Sequence, residues 1–204
     1  MRIVLNAVAK GRAQSALPET STSYETGGAT LVVAETEQRP TVLGLVASGR
    51  MKVDSGTVTI DGRTDASAIR RRVALVDAPV VSEPESNVTV TGVVAEELMF
   101  AGHAPNPFAA ARWLEGIGLE SLATMAIGNV EPAARVRLLL ELAALRKDVE
   151  GLVLVAPDRH GGEPLAWWRI AQEFAERGYA VLVIAGHASK TAIDALDETV
   201  EAAR

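Results

Sequence analysis

The chain has 204 residues, a formal net charge of −6, 48% hydrophobic and 23% charged side chains, and no cysteine. These values describe one globular domain with enough chain to bury a core; they exclude disulfides, zinc–thiolate sites and a cysteine nucleophile. The acidic balance gives no footprint for nucleic acid, and no apolar run reaches the roughly eighteen residues a membrane span needs. The opening MRIVLNAVAKGR has only a short apolar stretch and no small-residue cleavage site, so the expectation is an intracellular, cytoplasmic protein without a signal peptide.

Residues 2–8, RIVLNAV, read as a first strand, followed by a polar loop, KGRAQSALPETSTS. After TGG, the almost unbroken apolar run ATLVVA at 29–34 has the pattern of a buried strand. The segment TVLGLVA at 41–47 suits a helix or a strand, and Pro40 at its head fits the first turn of a helix, where a missing N–H costs nothing. DSGTVTIDG at 54–62 alternates strictly between two glycine turns and predicts a surface hairpin strand, and RVALVDA at 72–78 another buried strand.

From about residue 90 the period changes. VTGVVAEELMFAG, PFAAARWLEGIGL and EPAARVRLLLELAALRKD carry helical spacing, with proline near starts and glycine near ends. GLVLVAP at 151–157 predicts a strand, PLAWWRIAQEFAERG at 164–178 a helix stopped by Gly178, YAVLVIAG at 179–186 a strand, and 189–204 a closing helix. The order predicts an α/β fold with a mostly parallel core sheet, an antiparallel β edge and a block of helices between strands.

This order of segments resembles the ATPase domains of ATP-binding-cassette (ABC) transporters over nearly the whole chain. The most specific match is VDSGTVTIDG at 53–62; AIRRRVALVDAP at 68–79 is similar to the segment leading to the family's glutamine, and NVTVTGVVAEELMFAG at 87–102 to the helix start that follows it. ARWLEGIGLESLATMAIGNV resembles the approach to the signature motif, GLVLVAP the Walker B strand, and AERGYAVLVIAGH the strand before the switch histidine. The resemblance implies a P-loop NTPase-like fold, one domain over 1–204, and a helical subdomain inserted at 87–137.

The nucleotide-binding motifs of that family are degenerate here. Its phosphate loop, G-x-x-G-x-G-K-S/T-S/T, falls on VAETEQRPT at 33–41, so Glu35, Thr36, Glu37, Gln38, Arg39 and Pro40 stand in the loop and only Thr41 is kept. The glycines of such a loop let backbone N–H groups curl around phosphate oxygens in conformations that a side chain forbids. Glu35 and Glu37 add carboxylates where a polyanion belongs, each costing several kcal/mol at a few ångströms in a partly dry site. Pro40 removes a backbone donor, and arginine does not replace lysine in a tight loop. Together these changes offset a micromolar affinity of about 8 kcal/mol. The Walker B acids fall on Val155 and Ala156, the glutamine on Asp77 or Ala78, the signature on GNVEP at 128–132, and the switch histidine on Gly186 with His187 one place late.

The expectation is therefore a pseudo-ATPase: no nucleotide, metal or other cofactor, no catalytic residue, and a monomer in isolation. In the family the helical insert and glutamine-loop region dock a membrane subunit, so the resemblance implies an integral membrane permease-like partner, with Asp77, Ala78, Pro79, Glu96 and Phe100 as docking candidates. The alternative is a divergent ATPase subunit that still binds or hydrolyses ATP, sharing a site with another, intact ABC ATPase-like subunit. Other features read more plainly. DRHGGEP at 158–164 has too few ligands for a closed metal shell and reads as a solvated loop. The tryptophans of AWW at 166–168 have core spacing, Glu96 and Glu97 read as a solvated helix face, and G-x-S-x-G does not occur.

Overall fold

The computed structural model describes residues 1–35 and 39–202, with 196–202 as backbone alone. Strands β1 (Arg2–Lys10), β2 (Leu17–Glu25) and β4 (Ser55–Ile60) form an antiparallel sheet in the order β2-β1-β4. Strands β3 (Ala29–Val33), β5 (Val73–Val76), β6 (Gly151–Val155) and β7 (Ala180–Ala185) form a second sheet in the order β3-β7-β6-β5, parallel at every pairing. The helices are α1 (Arg39–Ala47), α2 (Ala66–Arg72), α3 (Val90–Phe100), α4 (Pro107–Gly116), α5 (Pro132–Ala144), α6 (Pro164–Glu176) and α7 (His187–Ala202).

The continuous apolar runs of β5, β6 and β7 follow from burial on both faces of a parallel sheet. Ala74, Val76, Leu152, Leu154, Val181 and Val183 face a core closed by α3, α4, α5 and α6. Their alternate neighbours Val73, Leu75, Val153, Val155, Leu182 and Ile184 face a second core, closed by α1 and the antiparallel sheet. Trp167 and Trp168 are buried in the first core, as their spacing predicts.

The ambiguous run at 41–47 is helical because it must pack flat on this sheet. A Cβ at Gly44 would stand 2.7 Å from Val155 Cγ2, so the glycine inside α1 lets the helix approach β6 closely. Capping fixes four further starts: the side chains of Asp65, Thr89, Asn106 and Glu131 accept from N–H groups in the first turns of α2, α3, α4 and α5.

Three expectations need correction. The polar stretch at 10–23 is mostly strand: β2 is an edge of the antiparallel sheet, where one face stays wet and Ser and Thr fit. Its buried Tyr24 anchors it, donating from its hydroxyl to the Ala47 carbonyl at 2.8 Å. The alternating segment at 54–62 pairs with the distant β1, so it is no local hairpin. The third buried strand is shorter than 72–78; β5 ends at Val76, and Asp77 turns the chain with φ of 56°. Among the described residues no helix is long and apolar enough to cross a membrane.

Candidate functional site

The C-terminal edge of the parallel sheet gathers the segments singled out in the sequence. Ala34 and Glu35 follow β3, Asp77, Ala78 and Pro79 follow β5, Ala156 and Asp158 follow β6, and Gly186 and His187 follow β7. Thr36, Glu37 and Gln38, the middle of the phosphate-loop position, lie outside the described residues. Arg39, Pro40 and Thr41 form the first turn of α1. Ala34, Glu35, Thr41, Pro79, Ala156 and Gly186 are among the residues that line a pocket of about 350 Å³ here.

That corner is already filled with hydrogen bonds. The His187 amide donates to Glu35 Oε1. The Gly186 amide donates to Asp158 Oδ2 at 2.8 Å, and the Ser189 hydroxyl to the same oxygen at 3.1 Å. Two carboxylates thus face a pocket in which a polyphosphate would need cations and free N–H donors. At the Walker B position, Val155 is the buried last residue of β6, and Ala156 turns the chain in the left-handed region with φ of 46°. Neither side chain can hold a metal or orient water, and among the described residues no three acids or histidines group as metal ligands.

Beside this corner lies a buried ionic cluster centred on Asp77, whose residue is 1% exposed. Arg135 of α5, itself buried, donates from Nη2 to Asp77 Oδ1 at 2.7 Å and from Nη1 to the Ile127 carbonyl at 3.1 Å. His160 Nε2 stands 3.0 Å from Asp77 Oδ2. Arg159 donates from Nη1 to the carbonyls of Asp77 (2.7 Å) and Val155 (2.9 Å), and pairs through Nη2 with Asp77 and Glu83. Burial pushes the Asp77 carboxyl upward, but its hydrogen bond with His160 and the Arg135 and Arg159 guanidiniums outweigh this and hold it below the usual carboxylate range. The stretch DRHGGEP is only in part a solvated loop: Gly161, Gly162 and Glu163 are exposed, but its first three side chains each tie the end of β6 to another segment. Sequence reading missed this because the partners lie far off in the chain, 28 and 31 positions from Asp158 and 76 to 83 from Arg159 and His160.

Of the docking candidates, Asp77 and Ala78 are buried and contribute to the interior. Pro79 is half-buried, while Glu96 and Phe100 are exposed on α3. Between them runs a groove of about 350 Å³, lined by Val81, Glu83, Val93, Glu96, Phe100 and Arg146 among others. Glu97 is not simply solvated; it forms a two-pronged pair with Arg146. Val81 and Phe100 of this lining are exposed apolar residues, and their chain neighbours Val80, 95% exposed, and Met99 are exposed as well. Val80 holds φ of 65°, a left-handed conformation that is an outlier for a β-branched residue. The turn is fixed by the Val81, Ser82 and Glu83 amides converging on the Ala78 carbonyl, and by the Val80 amide donating to Glu83 at 2.8 Å.

Solved structures share this architecture. The chain matches a nucleotide-free ATP-binding cassette from an ABC transporter with TM-score 0.57 and 15% identity, over 92% of this chain and 82% of that one. An ABC-transporter cassette in its ADP conformation gives 0.61 and 19% over 91% and 82%, and an ATP-binding subunit of an ABC transporter 0.59 and 16% over 92% and 80%. No protein-family model and no curated protein matches the chain. The likeness is one of fold.

Proposed function

We propose that this chain, which has the ATP-binding-cassette fold, is a pseudo-ATPase that docks on a membrane protein as a regulatory or structural subunit. The observation that carries the docking reading is the set of exposed apolar residues Val80, Val81, Met99 and Phe100, of which Val81 and Phe100 line the groove beside α3. An exposed apolar cluster bordered by charge is a mark of an interaction surface, and strain at Val80 is the kind that persists at functional positions. Loss of nucleotide chemistry is supported by Val155 and Ala156 in place of metal-binding acids, and by carboxylates where phosphate would sit.

Two measurements test the reading. Titration calorimetry with Mg-ATP is expected to show no binding; clear binding in the micromolar range overturns the pseudo-ATPase assignment. A photo-crosslinking residue at Phe100, introduced in the native cell, is expected to form an adduct with an integral membrane protein, while one at the remote Arg63 is not. Adducts only with soluble proteins at Phe100 would sink the membrane-docking idea.

A further inference from the structure

In the parallel sheet, β7 lies between β3 and β6, and the segment after each neighbour sends a carboxylate to the N-terminus of α7. Glu35, two residues beyond β3, accepts from the His187 amide. Asp158, in the turn after β6, accepts from the Gly186 amide and the Ser189 hydroxyl. The first turn of a helix leaves unpaired N–H donors and a partial positive charge, which together favour an anion. Here the chain meets part of that demand itself, from two directions.

Gly186 shows how closely the carboxylates are seated. A Cβ at this position would stand 2.8 Å from Glu35 Oε1 and 3.2 Å from Asp158 Oδ2, so only glycine leaves room for both. Neither carboxylate belongs to α7, so the arrangement differs from an ordinary cap formed by the residue just before the helix. It ties the ends of three adjacent strands to one another.

We propose that Glu35 and Asp158 form an internal latch, in which carboxylates from the segments after β3 and β6 together hold the start of α7 to the neighbouring strand ends. The latch does two things. It takes up the Gly186 and His187 amides and the Ser189 hydroxyl, and it holds the segment at 186–189 in one arrangement without any ligand. The proposal deepens the nucleotide-free reading given above and rests on it for what is excluded.

Hydrogen exchange of backbone amides, followed residue by residue on the full chain, tests the latch. In Glu35→Ala, exchange at residues 186–189 is expected to rise about tenfold, with a further rise in Glu35→Ala/Asp158→Ala, while β6 and β7 stay protected. Unchanged exchange at 186–189 in folded Glu35→Ala overturns the proposal. Glu35 is a surface residue, so this single variant decides the matter even if the double variant does not fold. Uniformly faster exchange in Glu35→Ala across both sheets also overturns it, because the role would then be global stability. Titrating the unaltered chain with Mg-ATP separates the two readings: binding there removes the nucleotide-free assignment, whereas absent binding with unchanged exchange removes only the latch.

Discussion

The two neighbouring clusters at the C-terminal edge of the sheet solve the burial of carboxylates in opposite ways. Asp77 is enclosed and neutralised by side-chain cations from α5 and from the turn after β6. Glu35 and Asp158 stand at a pocket and are satisfied mainly by backbone N–H groups. A fully enclosed charge depends on each partner, because removing one leaves another without compensation. A carboxylate at an open helix start costs only its local bonds when lost, since water replaces them. One cluster should therefore govern global stability and the other local order.

The sharpest way to break this contrast is Asp77→Ala. It leaves the buried Arg135 without its carboxylate and should cost about 3–5 kcal/mol, seen as a fall in the urea midpoint at unchanged slope. Acid repeats the change reversibly. The Asp77 carboxyl is held below its unfolded value of about 3.9, so its contribution is fully present above that pH and is lost as pH falls through the lower folded value. Urea midpoints measured from about pH 7 to about pH 2 should drop less steeply in Asp77→Ala than in the unaltered chain.

Gly186→Ala should come next, at about 1–2 kcal/mol. Its new Cβ displaces the Glu35 and Asp158 carboxylates, and thermal unfolding together with faster exchange at 186–189 measures the effect. Tyr24→Phe supplies a neutral reference. It removes a buried hydroxyl's bond to the Ala47 carbonyl and should cost about 1 kcal/mol in the same denaturation experiment. Smallest of all is Arg137→Ala, which breaks a surface pair with Glu173. Its effect should stay below about 1 kcal/mol and shrink further with added salt.

Much of the architecture was legible because it is written in local pattern. The apolar runs at β3, β6 and β7 and the helical periods of α3 to α6 announce themselves through apolar spacing and through proline and glycine at the ends, although β3, at the sheet edge, is only half-buried. β2 was not legible: at a sheet edge its mix of Ser, Thr and Glu carries little apolar signal, and only Tyr24 reaching Ala47 shows why it is held. For the same reason α2 hid inside AIRRRV, which reads as an approach to a strand until Asp65 is seen capping it.

The candidate site divides in the same manner. By its own residue types the sequence determined which side chains stand where the resemblance places a phosphate loop, metal-binding acids and a switch histidine: Glu35 and Pro40, Val155 and Ala156, and Gly186. These are matters of which side chain is present, and they are read without the fold. What surrounds those side chains was decided by tertiary structure alone. Asp77 meets Arg135, Arg159 and His160 across 58 to 83 positions, and Glu35 meets His187 across 152. Such pairings exist only once parallel strands bring their C-terminal ends to one edge, because a charge has no directional preference along the chain and takes its partner from whatever the sheet places beside it.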